Sequence, residues 1–243
     1  DLYQDDHKKC AVVVHYLGEQ RTEMVSFLQT LPETDMDILV QYGHKNSLNV
    51  IRGDGLLRIR VDDPALWLQY AAGSFAQVNL EQNRALVATV LDMVPWKPAD
   101  RVLELYCGMG NFSLPLARRV ARVVGVEEST QSIAMARHNA QHNAIANTSF
   151  VAAAAETFVA GLKPDDFDAV LLDPPRTGAY PVMKLLRQYR IPRIVYVSCD
   201  PQTLARDIEP LLHNGYQLRG SRPLDMFPQT HHCESVTWLE REN

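Results

Sequence analysis

The chain of 243 residues places its reactive and ligand-binding side chains beside short apolar runs. Cys199 follows Arg193–Ser198 in the stretch IVYVSCDP. A cysteine just past a buried strand points into a ligand crevice, where its thiolate can act as a nucleophile; the same side chain also serves as a small buried hydrophobe. Its neighbour Asp200 would raise the thiol pKa, and a helix starting near Pro201 would lower it if its N-terminus faced the sulfur. Asp173 closes Phe167–Leu172 and opens Asp173-Pro174-Pro175-Arg176. Two prolines after an aspartate give a stiff, extended backbone whose carbonyls are free for a ligand, or simply a rigid turn. Glu234 lies in DMFPQTHHCESV (225–236), ahead of the last apolar run, and reads as a general base or as a solvated glutamate at a strand start. His231, His232 and Cys233 beside it match no common zinc spacing, so no metal is expected in this chain.

These residues are arranged around Arg101–Phe112, RVLELYCGMGNF. Val102, Leu103 and Leu105 form a strand-length apolar run ending in Cys107-Gly108-Met109-Gly110, and an amphipathic stretch, Ser113–Val120, follows. Strand, glycine turn and helix start make the nucleotide-binding corner of a doubly wound α/β domain. Gly108 and Gly110 let the backbone approach a ligand without a Cβ in the way. Glu127 ends the next apolar run, Arg122–Val126, where a carboxylate can bond both hydroxyls of a ribose. Ser113 replaces the third glycine of the dinucleotide fingerprint, and Glu104 sits inside the strand. A nucleoside without a pyrophosphate, such as S-adenosylmethionine, suits this shorter loop.

The elements that must position these side chains alternate in type. Leu80–Val94 reads as a helix ending before Pro95, Ser129–Asn143 as a helix capped by Ser129, and Pro181–Tyr189 and Thr203–His213 as two more. Strands are expected at 101–105, 122–126, 148–151, 167–172 and 193–198, with a final antiparallel pair at 216–223 and 235–240. Strands alternating with helices predict a mostly parallel sheet with ligands at its carboxyl ends, where Gly108, Glu127, Asp173 and Cys199 all fall. Residues 1–70 read as a small α+β lobe: strands at 10–17, 37–43 and 48–52, a helix at 19–31, and Gly53-Asp54-Gly55 turning into Leu56–Val61 as the return strand of a hairpin. Residues 71–243 then form the nucleotide-binding domain.

The bulk properties narrow the class. Hydrophobic content of 46% and charged content of 22% are those of a soluble globular protein, and no apolar run is long enough to cross a bilayer. DLYQDDHKK at the start is too polar for a signal peptide, and Asp1 in place of Met leads to the expectation that the chain continues upstream. Cys10, Cys107, Cys199 and Cys233 include no CxxC pair, which argues against a disulfide framework or zinc site and fits a reducing cytoplasm. A net charge of −5 excludes a uniformly basic protein but not a local nucleic-acid patch.

Together these stretches resemble the S-adenosylmethionine-dependent RNA uracil-C5 methyltransferases, which make 5-methyluridine. GSFAQVN (73–79), LELYCGMGNFSLPLA (103–117), VGVEES (124–129), LLDPPRTG (171–178), IVYVSCDPQTLARD (194–207) and DMFPQTHHCES (225–235) are each similar to a family motif, in family order. The wording LDMFPQT and YVSCDPQTLARD is nearest the branch acting on 23S ribosomal RNA, and THH is also similar to the tRNA branch. The resemblance implies a Rossmann-like class I methyltransferase domain with a mostly parallel sheet, preceded by a small α+β lobe. It makes Cys199 the nucleophile and Glu234 the base, with Gln77, Tyr106, Gly108, Gly110, Asn111, Glu127 and Asp173 around S-adenosylmethionine. RNA is the implied partner, rRNA ahead of tRNA, bound by a cytoplasmic monomer. Phe75 and Arg176 are candidate substrate contacts, and Lys184, Arg187, Arg190 and Arg193 could hold phosphates or form a solvated helix face.

Three departures stand out. Asp200 replaces the usual Asn, Ala76 replaces a common aromatic, and of the family's N-terminal RNA-binding barrel and iron–sulfur cysteines only Cys10 is in view; a cluster would belong to an upstream region. Arg176 also takes the place of the aromatic ring that stacks on a flipped base in amino-group methyltransferases. The rival readings are an RNA cytosine-C5 methyltransferase, which usually carries a second cysteine where this chain has DPPR, and a non-catalytic RNA-binding assembly factor.

Overall fold

Alternate burial of Ala11 and Val13 marks the middle of the first sheet in the computed structural model, which describes residues 1–32, 35–43, 48–230 and 232–242. The chain divides into two units, Asp1–Arg60 with Trp67–Ala76, and Val61–Leu66 with Gln77–Asn243. In the smaller unit β1 (Leu2–Gln4), β2 (Cys10–Tyr16), β3 (Met36–Tyr42) and β4 (Leu48–Arg52) pair in chain order, with α1 (Arg21–Thr30) between β2 and β3. The helix makes the crossover that lets β2 and β3 run parallel, and buries Leu28 against Ile38 and Val40.

Gly53-Asp54-Gly55 does not close a hairpin. β5 (Leu56–Asp62) pairs instead with β6 (Leu66–Ala71), a strand the sequence reading did not foresee. Carboxylates from upstream decide this. Asp37 accepts the Gly55 N–H at 2.8 Å and pairs with Lys9 at 2.8 Å, while Asp5 and Asp6 accept the N–H groups of Arg58 and Arg60 at 3.0 and 2.7 Å. With those amides taken, β5 cannot lie along β4.

The larger unit begins with α2 (Leu80–Met93), capped by the Asn79 side chain, which accepts the Gln82 N–H at 3.2 Å. Then follow β7 (Arg101–Leu105), α3 (Ser113–Ala117), β8 (Arg122–Glu127), α4 (Thr130–His142), β9 (Thr148–Ala152), α5 (Ala155–Ala160), β10 (Ala169–Leu172), α6 (Tyr180–Leu186), β11 (Arg193–Ser198), α7 (Pro201–Leu212), β12 (Tyr216–Leu224) and β13 (Glu234–Arg241). Seven strands form one sheet in the order β12-β13-β11-β10-β7-β8-β9. Five of them are parallel, and β13 runs antiparallel to both of its neighbours.

Strand alternation sends side chains to two cores. Leu103, Leu105, Val170, Leu172, Ile194 and Tyr196 pack with α5, α6 and α7; Val102, Ala169, Leu171, Val195 and Val197 pack with α2 and α3. Every residue of α3 is buried, so Ser113–Ala117 is an enclosed turn of helix rather than the start of an amphipathic one. The chain leaves β7 for β8 and β9 on one side and returns to β10 on the other. That reversal opens the crevice of a doubly wound, Rossmann-like α/β sheet. Among the described residues no helix is long and apolar enough to cross a membrane.

Candidate active site

β7 exits into a turn with three residues of positive φ, Tyr106 (63°), Gly108 (52°) and Gly110 (94°). A bulky side chain seldom adopts this region; packing of the Tyr106 ring on the α5–α7 core holds it there. A Cβ added to Gly108 would meet no atom within 4 Å, so the backbone borders open space. Glu127, at the end of β8, accepts the Gly108 N–H at 3.3 Å and the Ser129 N–H at 2.9 Å. One carboxylate therefore joins the glycine turn to the start of α4. Asn111 exchanges two hydrogen bonds with Asn83, at 2.9 and 3.0 Å. Asn83 is buried on α2 and was not singled out from the sequence; its only local signal is a position one helical turn past the Asn79 cap. Gln77 lies half-buried just ahead of α2.

The antiparallel insertion of β13 completes the crevice. Ser198 on β11 faces Ser235 on β13, so the residues next in line, Cys199 and Glu234, emerge together at the carboxyl end of β11. Asp173 follows the adjacent β10. Glu234 is buried, which pushes its carboxyl up to about 7. Burial, then the Glu234 charge, pushes Asp173 up to about 8. Cys199 is half-buried, and its thiol is raised by burial, then by Glu234 and Asp173, with Arg176 acting the other way. Asp200 does not press on the thiol as its position in the sequence led one to expect. Its carboxylate caps α7, accepting the Gln202 and Thr203 N–H groups at 2.9 and 3.0 Å, and lies 3.7 Å from Arg176. Asp and Asn cap helices about equally well, which accounts physically for Asp200 in this place.

The basic run divides. Lys184, Arg187 and Arg190 are exposed, with Lys184 over the Tyr180 ring at 4.6 Å. Arg193 is buried at the opposite end of β11 from Cys199, paired with Asp100 at 2.6 Å and bonded to the Pro95 carbonyl at 2.6 Å. It joins the bottom of the sheet and is no phosphate ligand. Phe75 belongs to the smaller unit and is 82% exposed. Among the described residues no group of three or more His, Cys, Asp or Glu side chains is placed to hold a metal; His231 lies outside them.

Glu104 is fully buried on β7 and accepts the Ser113 hydroxyl, while its Oε1 has no hydrogen-bond partner. Burial raises its pKa from 4.5 to about 8. The folded state thus favours the protonated acid. The resulting stability is complete below pH 4.5, declines above it and is gone above pH 8. Glu104→Gln should therefore match wild type in guanidinium unfolding at pH 4 and gain on it by about 1.4 kcal/mol per pH step up to pH 8. A pH-independent difference would contradict this assignment.

Comparison with known proteins joins this geometry to a family. A family model described as tRNA (Uracil-5-)-methyltransferase matches residues 12–242. The 23S rRNA (uracil(1939)-C(5))-methyltransferase RlmD of Alkalilimnicola ehrlichii is 47% identical over 182 residues, covering 72% of this chain and 40% of the relative. The protein of the same name from Shewanella woodyi is 39% identical over 230 residues, covering 91% of this chain and 49% of the relative. The chain thus spans about half the length of these relatives or less. The Pyrococcus abyssi tRNA (uracil-54, C5)-methyltransferase, solved with S-adenosyl-L-homocysteine, superimposes with a TM-score of 0.78 at 29% identity over 98% of this chain and 58% of that one. With a family match running from β2 into β13, and the glycine turn, Asp173, Cys199 and Glu234 at one end of the sheet, the chain belongs to the tRNA (uracil-5-)-methyltransferase family.

Proposed function

We propose that this crevice transfers a methyl group from S-adenosylmethionine to C5 of a uridine in RNA, with 23S ribosomal RNA ahead of tRNA as the substrate. The observation that carries it is the meeting of Cys199 and Glu234, 35 residues apart, through the β11–β13 register. The names of the relatives from Alkalilimnicola and Shewanella support the choice of ribosomal RNA.

The open space at Gly108 and the Glu127 carboxylate fit a cationic nucleoside, whose charge would also favour ionisation of the raised Asp173. When bound, S-adenosylmethionine supplies an electrophilic methyl group. Glu127 would hold the ribose hydroxyls, with Gln77, Tyr106, Gly110, Asn111 and Asp173 completing the site. Glu127→Ala should weaken binding of S-adenosylhomocysteine in calorimetry by roughly 10- to 100-fold, the worth of a charge-assisted hydrogen-bond pair. Unchanged affinity would remove the ribose role.

C5 of uracil is a poor nucleophile. The Cys199 thiolate adds to C6 and leaves an enolate, which makes C5 electron-rich enough to take the methyl group. C5 then bears both methyl and hydrogen. Glu234 removes that hydrogen as a proton, and the electron pair left behind expels Cys199 from C6. A stacked uracil cannot reach such a crevice, so the base is flipped out, with Arg176 as a candidate contact to the displaced strand. In this reading the protein works as a monomer in the cytoplasm.

Incubation with S-adenosylmethionine and 5-fluorouridine-substituted ribosomal RNA tests the reading. Fluorine cannot leave as a proton, so the RNA should remain attached to Cys199 on a denaturing gel and in mass spectrometry. Binding of the methyl donor without any adduct would overturn uracil as the target.

A further inference from the structure

The loop after β10 carries Asp173 and Arg176, whereas Cys199 lies between β11 and α7. The chemistry above requires these segments to keep a fixed relation. Pro174 and Pro175 stiffen only the first half of the loop. The second half turns through Gly178, at φ +79°, whose N–H bonds the Pro175 carbonyl at 2.8 Å.

Asp207 meets this second half from α7 and is fully buried. Its Oδ2 accepts the Ala179 N–H at 2.5 Å and the Tyr196 hydroxyl at 2.6 Å. Its Oδ1 pairs with Arg206 at 2.7 Å, and the same Arg206 nitrogen, Nη2, donates to the Thr177 carbonyl at 2.8 Å. Tyr196 is itself fully buried on β11, three residues before Cys199. The loop is seated closely: a Cβ on Gly178 would lie 2.4 Å from Asp207 Oδ2 and 2.6 Å from Arg206 Nη2.

We propose that Asp207 is a positioning residue that latches the Asp173–Ala179 loop to β11 and α7, holding Asp173 and Arg176 in register with Cys199, a role that rests on the methyl-transfer reading above. A carboxylate suits the task because it offers acceptor sites to three donors at once, whereas an amide must give up one oxygen.

Hydrogen–deuterium exchange and steady-state kinetics on Asp207→Asn and Gly178→Ala separate this role from plain fold cohesion. The first variant removes an acceptor from the α7 side, and the second pushes the loop away from its own side. Both should still unfold cooperatively, with amide exchange in 173–183 rising about tenfold and exchange in 101–112 unchanged. The kcat should fall by about 10²-fold, as for a reacting group misplaced by an ångström, and KM for the methyl donor should rise with it, because Asp173 belongs to that ligand's site. The double variant should lose no more than the poorer single, because both break one latch. Wild-type exchange and kcat in the folded single variants, or losses that add in the double, would overturn the proposal. If Asp207→Asn does not fold, Gly178→Ala decides alone. If the wild-type protein methylates no uridine, the function proposed above fails, and the exchange data still decide whether the latch exists.

Discussion

Replacing Cys199 with alanine is expected to lower methyl transfer to uridine by a factor on the order of 10⁴ or more, as for removal of a nucleophile that works as one unit with its partners. Binding of S-adenosylhomocysteine should stay within about threefold, because the thiol adds no charge that a methyl donor needs. The reason lies in the substrate: without addition at C6, C5 has too little electron density to attack a sulfonium methyl. The surroundings of Cys199 sharpen the expectation. Burial, Glu234 and Asp173 all raise its thiol, against a backbone hydrogen bond at Cys199 and the Arg176 charge. A cationic ligand in the crevice would act in the same direction as Arg176 and favour the thiolate. Alkylation of Cys199 by iodoacetamide should therefore speed up when sinefungin, which carries an amine in place of the sulfonium, is bound. Substantial turnover by Cys199→Ala on an unmodified RNA would eliminate the covalent route.

Glu234→Gln should separate the first half of the reaction from the second. Turnover is expected to drop by about 10²- to 10⁴-fold, the usual worth of a general base. A methylated RNA–protein adduct should accumulate on Cys199 even without fluorine, because nothing removes the C5 proton. The first half should not suffer, since losing the Glu234 charge removes one of the groups that hold the Cys199 thiol up. In wild type, Glu234 has its carboxyl raised to about 7 by burial. The base form is the ionised one, so release of the adduct should slow about tenfold for each pH step below 7 and level off above it. Single-turnover quench at pH 6 and pH 8 measures this directly. A Glu234→Gln protein that releases product at the wild-type rate, or shows no adduct, would assign the proton transfer elsewhere.

Much of the fold was legible because it is written in local spacing. Arg101–Leu105, Arg193–Ser198 and the Ser129 cap of α4 occur where short apolar runs and side-chain chemistry predicted them. Each depends on residues within a few positions of one another. The five-residue α3 was misjudged because burial on every side leaves no polar face for a periodicity to report. Leu56–Val61 was misjudged because the turn signal at 53–55 is local, while Asp5, Asp6 and Asp37, which override it, come from far upstream.

The sequence by itself determined the strand–helix alternation, the glycine turn, and the placement of Gly108, Glu127, Asp173 and Cys199 at strand exits, since each follows from the period of two or 3.6 along a short segment. Only the tertiary structure decided what meets across the sheet. Inserting β13 between β12 and β11 carries Glu234 to Cys199, a pairing set by backbone register that neither residue's neighbours reveal. The same sheet turns Arg193 away to Asp100 at its far end, because six residues of strand separate the two ends of β11. Seven residues beyond the Asp200 cap, the buried turn of α7 directs Asp207 onto the loop of Asp173. Hydrogen-bond partners distant in the chain are chosen by packing, and packing exists only once the chain has folded.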